Sequence, residues 1–273
     1  MRRIPRARRQ NVATPRIQSV NRAFSLLNCL ADAGGTESLP LMAARCGLSV
    51  ATAHRLLATL ESLGAVMHTA PGKYRIGMAL LRLADRESQD DLIAAAAEPN
   101  MRQISQSIGA TTHLGVLDQD CMVTYIAKST RRSQFPPTRI GCKLEAYCSA
   151  LGKVLLAALP AERQRDYLAD GPFIALTPHT ITESELLEGE LHRVTRRGYA
   201  IDDCELYENL RCVAVPIRDM SGKVVAALSV SSPVGQLPRS KIPAVAETLF
   251  AHADQIGAKL FPAATNRLVD KAA

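Results

Sequence analysis

Two short stretches of this chain place reactive or donor groups at meaningful spacing. The first is Ser49–Arg55, reading SVATAHR. Ser49 stands where a helix N-cap belongs, accepting from the free backbone N–H groups of a first turn. Val50, Thr52, His54 and Arg55 follow at the helix start, short or polar, and partly outside the apolar stripe. Ser49 and Thr52 can reach phosphate or base edges, and Arg55 can fork onto guanine or clamp a phosphate. Taken alone, Arg55 suits a solvated helix residue equally well. The second stretch is Ser149–Gly152. Ser149 can cap a helix whose first residues, Ala150, Leu151 and Gly152, present N–H groups to an anion such as a carboxylate. Gly152 permits close approach. An ordinary capped helix has the same signature. Gly152-Lys153 is not a phosphate loop, because Tyr147 occupies the upstream glycine position and Val154 follows the lysine. A third chemistry, cysteine hydrolysis through Cys212 with His113 or His192, has nothing in the sequence to fix its geometry. No G-x-S-x-G segment accompanies it. A hydrolase with a DNA-binding accessory domain is the alternative kept open, and a non-enzyme is expected.

Helices must position these groups. Leu39–Gly77 reads as two helices joined by a tight turn at Cys46-Gly47-Leu48, then a hairpin. Gly47 supplies the φ > 0 that a sharp break between packed helices requires. Ala53, Leu56, Leu57, Leu60 and Leu63 fall at helical spacing behind the Ser49–Arg55 front. A first helix over Ile17–Ala33 carries Val20, Phe24, Leu27 and Leu30 and ends at Gly34-Gly35. A second covers about Pro40–Cys46 with Ser38 as its cap. Ala65–His68 and Lys73–Ile76 can pair across Thr69–Gly72, making a winged helix-turn-helix. The wing carries Lys73 and Arg75, placed to reach the DNA backbone or minor groove; a plain structural hairpin would look alike. A domain reading only a few base pairs is expected to act as a symmetric dimer on palindromic double-stranded DNA.

Beyond it, the sequence suggests a linking helix, a further helix from near Asp90 to Ile108, then strand-like runs at Thr111–Asp118 and Met122–Lys128, and a polar loop at Ser129–Pro137. Helices at Ser149–Leu159, Ala161–Ala169 and Glu183–Arg197 come next. Strands at Tyr199–Asp202, Arg211–Arg218 and Lys223–Ser231 precede a closing helix, Ile242–Leu260. The expected organisation is a disordered basic arm (1–16), a winged domain (17–77), a linker helix (78–90), an α+β domain with a mixed, mainly antiparallel sheet (91–262) and a tail (263–273).

Charge sharpens the division. Residues 1–90 hold 13 Lys and Arg against 6 Asp and Glu, while the remainder is balanced at 20 of each, so the net +7 belongs to the helix-turn-helix half. Six arginines within the first sixteen residues, with no acid among them, suit phosphate neutralisation; a solubilising tail is the other reading. No stretch of about twenty apolar residues suggests a membrane span, and no signal-peptide core follows the basic N-terminus, so a cytoplasmic protein is expected. Seven scattered cysteines include no C-x-x-C pair and no zinc spacing, so neither metal nor cofactor is expected. Cys142 and Cys148 suit either redox sensing or the packing of small buried thiols.

Four ordered motifs, LSVATAHRLLATLESLG (Leu48–Gly64), SALGKVLLA (Ser149–Ala157), RGYAIDDCELYENLRCVAVPI (Arg197–Ile217) and AALSVSSP (Ala226–Pro233), resemble the IclR family of transcriptional regulators over about Ile17–Phe261. The resemblance implies a GAF-like effector domain, homodimers through the winged domains that pair into tetramers, and control by a small organic acid. A repressor rather than an activator is the expectation that goes with it. It also implies that the Ser149–Gly152 helix start lines a ligand pocket with Asp202, Leu210 and Cys212. Ser229 and Ser231 would neighbour them on the facing strand, and Leu144 would cover the site. Asp202 would bind a hydroxyl or amino group, or stay protonated beside an acid. Two departures touch the pocket edge: Cys204 interrupts the paired acids the family commonly shows before Glu205, and Asn209 stands where family members often carry Gly.

Overall fold

The computed structural model describes residues 17–34, 37–130 and 138–262. The basic arm, the tail, Gly35 and most of the 129–137 loop lie outside the described residues. The chain divides into two compact units, one ending at Glu87 and the next beginning at Ser88.

The first unit contains α1 (Gln18–Asp32), α2 (Leu39–Arg45), α3 (Val50–Ser62), the strands β1 (Val66–Ala70) and β2 (Lys73–Ile76), and α4 (Met78–Ala84). Leu26, Leu27 and Leu30 of α1 meet Met42 and Ala43 of α2, Ala53, Leu57 and Leu60 of α3, and Tyr74 of the wing in one core. Gly47 has φ +62° in the turn before α3. The Ser49 hydroxyl caps α3, accepting from the Thr52 N–H at 3.2 Å. Some expectations shift. Ser38 precedes α2 but makes no side-chain cap; its backbone bridges to Lys73 of the wing instead, and Pro40 has removed one of the N–H groups a cap would serve. Leu63 of the α3 stripe, and Val20 and Phe24 of the α1 stripe, are exposed. Helical periodicity marks a face as apolar without saying what covers it.

The linking helix expected over 78–90 is cut short, and the separate helix expected from about Asp90 to Ile108 is present. α4 stops at Ala84, and α5 (Gln89–Ile108) starts afresh, capped by the Ser88 hydroxyl accepting from the Asp91 N–H at 3.4 Å. The acids Asp90 and Asp91 in its first turn favour that start through the helix dipole.

The second unit is built on a six-stranded sheet in the order β5-β4-β3-β8-β7-β6. Its strands are β3 (Thr111–Leu117), β4 (Met122–Ser129), β5 (Lys143–Glu145), β6 (Ala200–Asp203), β7 (Leu210–Arg218) and β8 (Val224–Pro233). The sequence expectation of a mainly antiparallel sheet is met, and every described pairing is antiparallel. β5 is an addition: with three residues it is too short to show a period. Alternation sorts the two faces. Leu114, Val213, Val215, Leu228 and Val230 pack against α5 and α9 (Ile242–Leu260). Cys212, Ala214, Ala227, Val123 and Tyr125 pack against α6 (Ala150–Ala157) and α8 (Ser184–Arg197). α7 (Ala161–Ala169) adds Leu168 to that second core.

Candidate functional sites

In the first unit, the Ser49–Arg55 front lies on the outer side of α3. Ser49, Val50, His54 and Arg55 are exposed and Thr52 is half-buried. The Ser49 and Thr52 hydroxyls stand 2.9 Å apart, so part of their hydrogen-bonding capacity is spent on the cap. On the wing, Lys73 and Arg75 point outward while Tyr74 between them is buried and stacks on His68 at 4.5 Å. A groove of about 280 Å³ runs between α1 and α3, lined by Ser19, Arg22, Thr52, Arg55, Leu56 and Thr59. Arg22 and Ser19 carried no sequence signal. Only the crossing of α1 over α3 brings them to Arg55.

In the second unit, pairing places Asp202 opposite Cys212, Cys212 opposite Ser231, and Ser231 opposite Thr111. One row of polar side chains therefore crosses four strands on the face under α6. Ser229 lies one step along, opposite Ala214 and His113. Leu210 is buried at the start of β7, and Leu144 packs half-buried at the far edge of the same core. The Ser149 hydroxyl accepts from the Gly152 N–H at 3.0 Å. This corrects the expectation for Gly152 in two respects. Its N–H is already used, and the close approach it permits is to the chain itself: a Cβ there would sit 2.2 Å from the Ala146 carbonyl oxygen. The N–H groups of Ala150 and Leu151 remain the ones relevant to an anion.

Beneath the helix start lies a buried charge cluster of which sequence reasoning had only Asp202. Lys153, fully buried, pairs with Glu205 at 2.5 Å. Glu205 is fixed by its own backbone: its carbonyl accepts from the Thr177 and Thr180 hydroxyls at 3.2 and 2.7 Å. Its N–H donates to Asp202 Oδ1 at 2.8 Å. Asp202 Oδ2 and Glu205 Oε2 are buried without hydrogen-bond partners among the described residues. Burial pushes the Asp202 carboxyl up to about 7, opposed in part by the Lys153 ammonium. Burial likewise raises Glu205. A lysine inside the apolar run SALGKVLLA was the available signal for this cluster, since a buried ammonium needs a carboxylate.

The hydrolase alternative meets poor chemistry. Burial, with the Asp202 carboxylate beside it, holds the Cys212 thiol well above its ordinary range. Burial and the Lys128 charge depress His113 to about 3. A neutral thiol and so weak a base do not make a thiolate nucleophile. His192 is exposed on α8, whereas Cys212 is buried.

A helix-turn-helix with a wing, followed by an antiparallel α+β unit, is the architecture of a DNA-binding transcription regulator. Residues 19–69 match the IclR helix-turn-helix domain, and residues 87–258 match the bacterial transcriptional regulator IclR C-terminal domain. The chain is 32% identical to the HTH-type transcriptional regulator KdgR of Escherichia coli over 249 residues, covering 89% of this chain and 93% of that one. It is 30% identical to the transcriptional repressor IclR of Escherichia coli, covering 84% and 85%. Among solved structures, the Thermotoga maritima IclR aligns with a TM-score of 0.59 at 29% identity over 90% of this chain and 99% of that one. An IclR homolog from Microbacterium hydrocarbonoxydans, complexed with 4-hydroxybenzoate, aligns with a TM-score of 0.58 at 26% identity over 89% and 98%. This chain belongs to the IclR family of bacterial transcriptional regulators.

Proposed function

We propose that this protein is a cytoplasmic, effector-controlled repressor. It binds a palindromic operator as a homodimer through its winged domains and pairs further into a dimer of dimers. Its second unit serves as a GAF-like receptor for a small organic acid, without enzymatic turnover. The observation that carries the effector reading is Asp202, fully buried, with Oδ2 unpartnered in the row it shares with Cys212 and Ser231. A carboxyl held near 7 is substantially protonated at neutral pH, and its neutral form can donate to a ligand carboxylate. The Ala150 and Leu151 N–H groups, at the positive end of the α6 dipole, favour the same charge. The surrounding Leu144, Leu151 and Leu210 suit a mostly uncharged ligand body, for which aromatic acids are candidates; the relative bound to 4-hydroxybenzoate is consistent with this.

Ser49, Val50, Thr52 and His54 meet the major groove in this reading, Arg55 beside them meets a base edge or a flanking phosphate, and Lys73 and Arg75 meet the backbone or minor groove. The exposed apolar side chains of Ile17 just before α1, of Val20 and Phe24 on it, and of Met78 and Leu81 on α4 support pairing between winged domains. The effector changes DNA binding only if its affinity differs between the DNA-competent and incompetent states.

The test is a thermal-shift screen of the full chain against hydroxybenzoates and 2-oxo acids, followed by mobility shifts on operator DNA recovered from a random duplex library. A stabilising acid that releases the protein from that DNA is the expected result. Recovery of no preferred sequence, or release by no acid that binds, overturns the reading.

A further inference from the structure

We propose that the groove between α1 and α3 is a clamp for a DNA backbone phosphate, gripped by Arg22 from one wall and Arg55 from the other. The inference rests on DNA binding by the winged unit and adds a residue on α1 to it. Five of the six residues lining the groove carry polar groups, and none is acidic. Two of those groups are occupied within the protein. The Thr59 hydroxyl donates to the Arg55 carbonyl at 2.9 Å, and the Thr52 hydroxyl is engaged with Ser49. The two guanidinium groups and the Ser19 hydroxyl are left as donors.

Among the described residues, neither arginine has an ion-pair partner, in contrast to Arg45 of the same unit, which pairs with Glu37 at 2.9 Å. The Arg22 Nε is cut off from solvent without any acceptor. A phosphate oxygen entering the groove meets two guanidinium groups that no carboxylate among the described lining residues neutralises. Two arginines facing one acid-free groove would repel each other less once an anion sat between them. The anion this surface would meet is phosphate: Thr52 and Arg55 belong to the helix that approaches DNA, whereas α1 lies outside the helix-turn-helix pair, so its contact is assigned to the backbone and not to base edges. The contact is therefore blind to sequence. It fixes how α3 is seated and leaves base reading to the residues at its tip.

The experiment measures full-length protein on a random-sequence duplex by fluorescence anisotropy between about 50 and 200 mM salt. Arg22→Gln should lower the slope of log affinity against log salt by about 0.9 for each winged domain engaged. The loss should be equal on a preferred operator and on random sequence. Arg22→Lys, which keeps a point charge without the fork, should retain the slope and bind more weakly. Ser19→Glu, at an exposed position where packing is not at stake, should weaken binding to every duplex, which keeps the inference testable if Arg22→Gln unfolds. Wild-type slope in both Arg22→Gln and Ser19→Glu overturns the clamp while leaving DNA binding intact. A loss confined to one base sequence assigns Arg22 to base reading and also overturns it. Failure of the wild-type protein to bind any duplex at low salt overturns the DNA-binding reading itself, and the clamp with it.

Discussion

Lys153→Met is the substitution whose outcome follows most directly from the buried cluster. The lysine side chain is 1% exposed and that of its partner Glu205 is 7% exposed. Removing the ammonium leaves a carboxylate buried with one oxygen already lacking a partner and with Asp202 hydrogen-bonded to its N–H. Breaking a buried pair from one side costs about 3–5 kcal/mol, because the surviving charge is uncompensated. At roughly 2–4 °C per kcal/mol for a unit of this size, the transition of the second unit should fall by about 6–20 °C. Lys153→Met/Glu205→Met removes both charges and fills similar volume, so it should recover most of that loss. The deficit of the single variant also has a pH signature. Burial already raises the Glu205 carboxyl, and loss of Lys153 raises it further, so folding keeps a proton on it at low pH. The deficit should shrink from pH 8 to pH 5. Thermal unfolding followed by circular dichroism at both pH values is the assay. A single variant within about 1 kcal/mol of wild type, or a double variant no more stable than the single, refutes the account of the pair as a compensated buried charge.

Asp202 makes its own prediction. Its folded pKa of about 7 lies above the ordinary 3.8 of an aspartate, so the folded state holds the proton longer and this group's contribution to stability falls as pH rises between those values. Asp202→Asn lacks that titration. Its melting temperature relative to wild type should climb across the same window and level off above pH 8; a constant difference would contradict the raised pKa. Gly152→Ala forces a Cβ against the Ala146 backbone, which cannot rotate away, and should cost at least the ~1–3 kcal/mol of an overpacked core in chemical denaturation. Ser49→Ala removes the α3 cap and should destabilise the winged unit by about 1 kcal/mol. Ser49→Asp restores the cap but repels phosphate, so it should regain melting temperature without regaining DNA affinity. Equal recovery of both would assign Ser49 to capping alone.

What the chain determined by itself is whatever depends on local order. Gly47 and Ser49 mark the turn and cap before α3 because φ > 0 and a free N–H terminus demand particular residue types nearby. Strand-like runs marked the main strands of the second unit, and four ordered motifs pointed to the family. The balance of charge also separated the DNA-facing half of the chain from the rest. Tertiary structure decided whatever depends on which faces meet. Apolar spacing counted Leu63, Val20 and Phe24 with the core, but periodicity cannot show that they stand exposed. β5 was too short to alternate, and only a free edge of β4 recruits it. Gly152 looked like a place for a ligand and proves to be a place for the Ala146 backbone. Lys153 and Glu205 stand 52 residues apart and meet at 2.5 Å through the packing of a helix on a sheet. Arg22 and Arg55 come to share a groove by the crossing of two helices. Local backbone preferences and periodicity are carried by neighbours in sequence, whereas charge pairing and pocket lining are set by distances that only the packed core fixes.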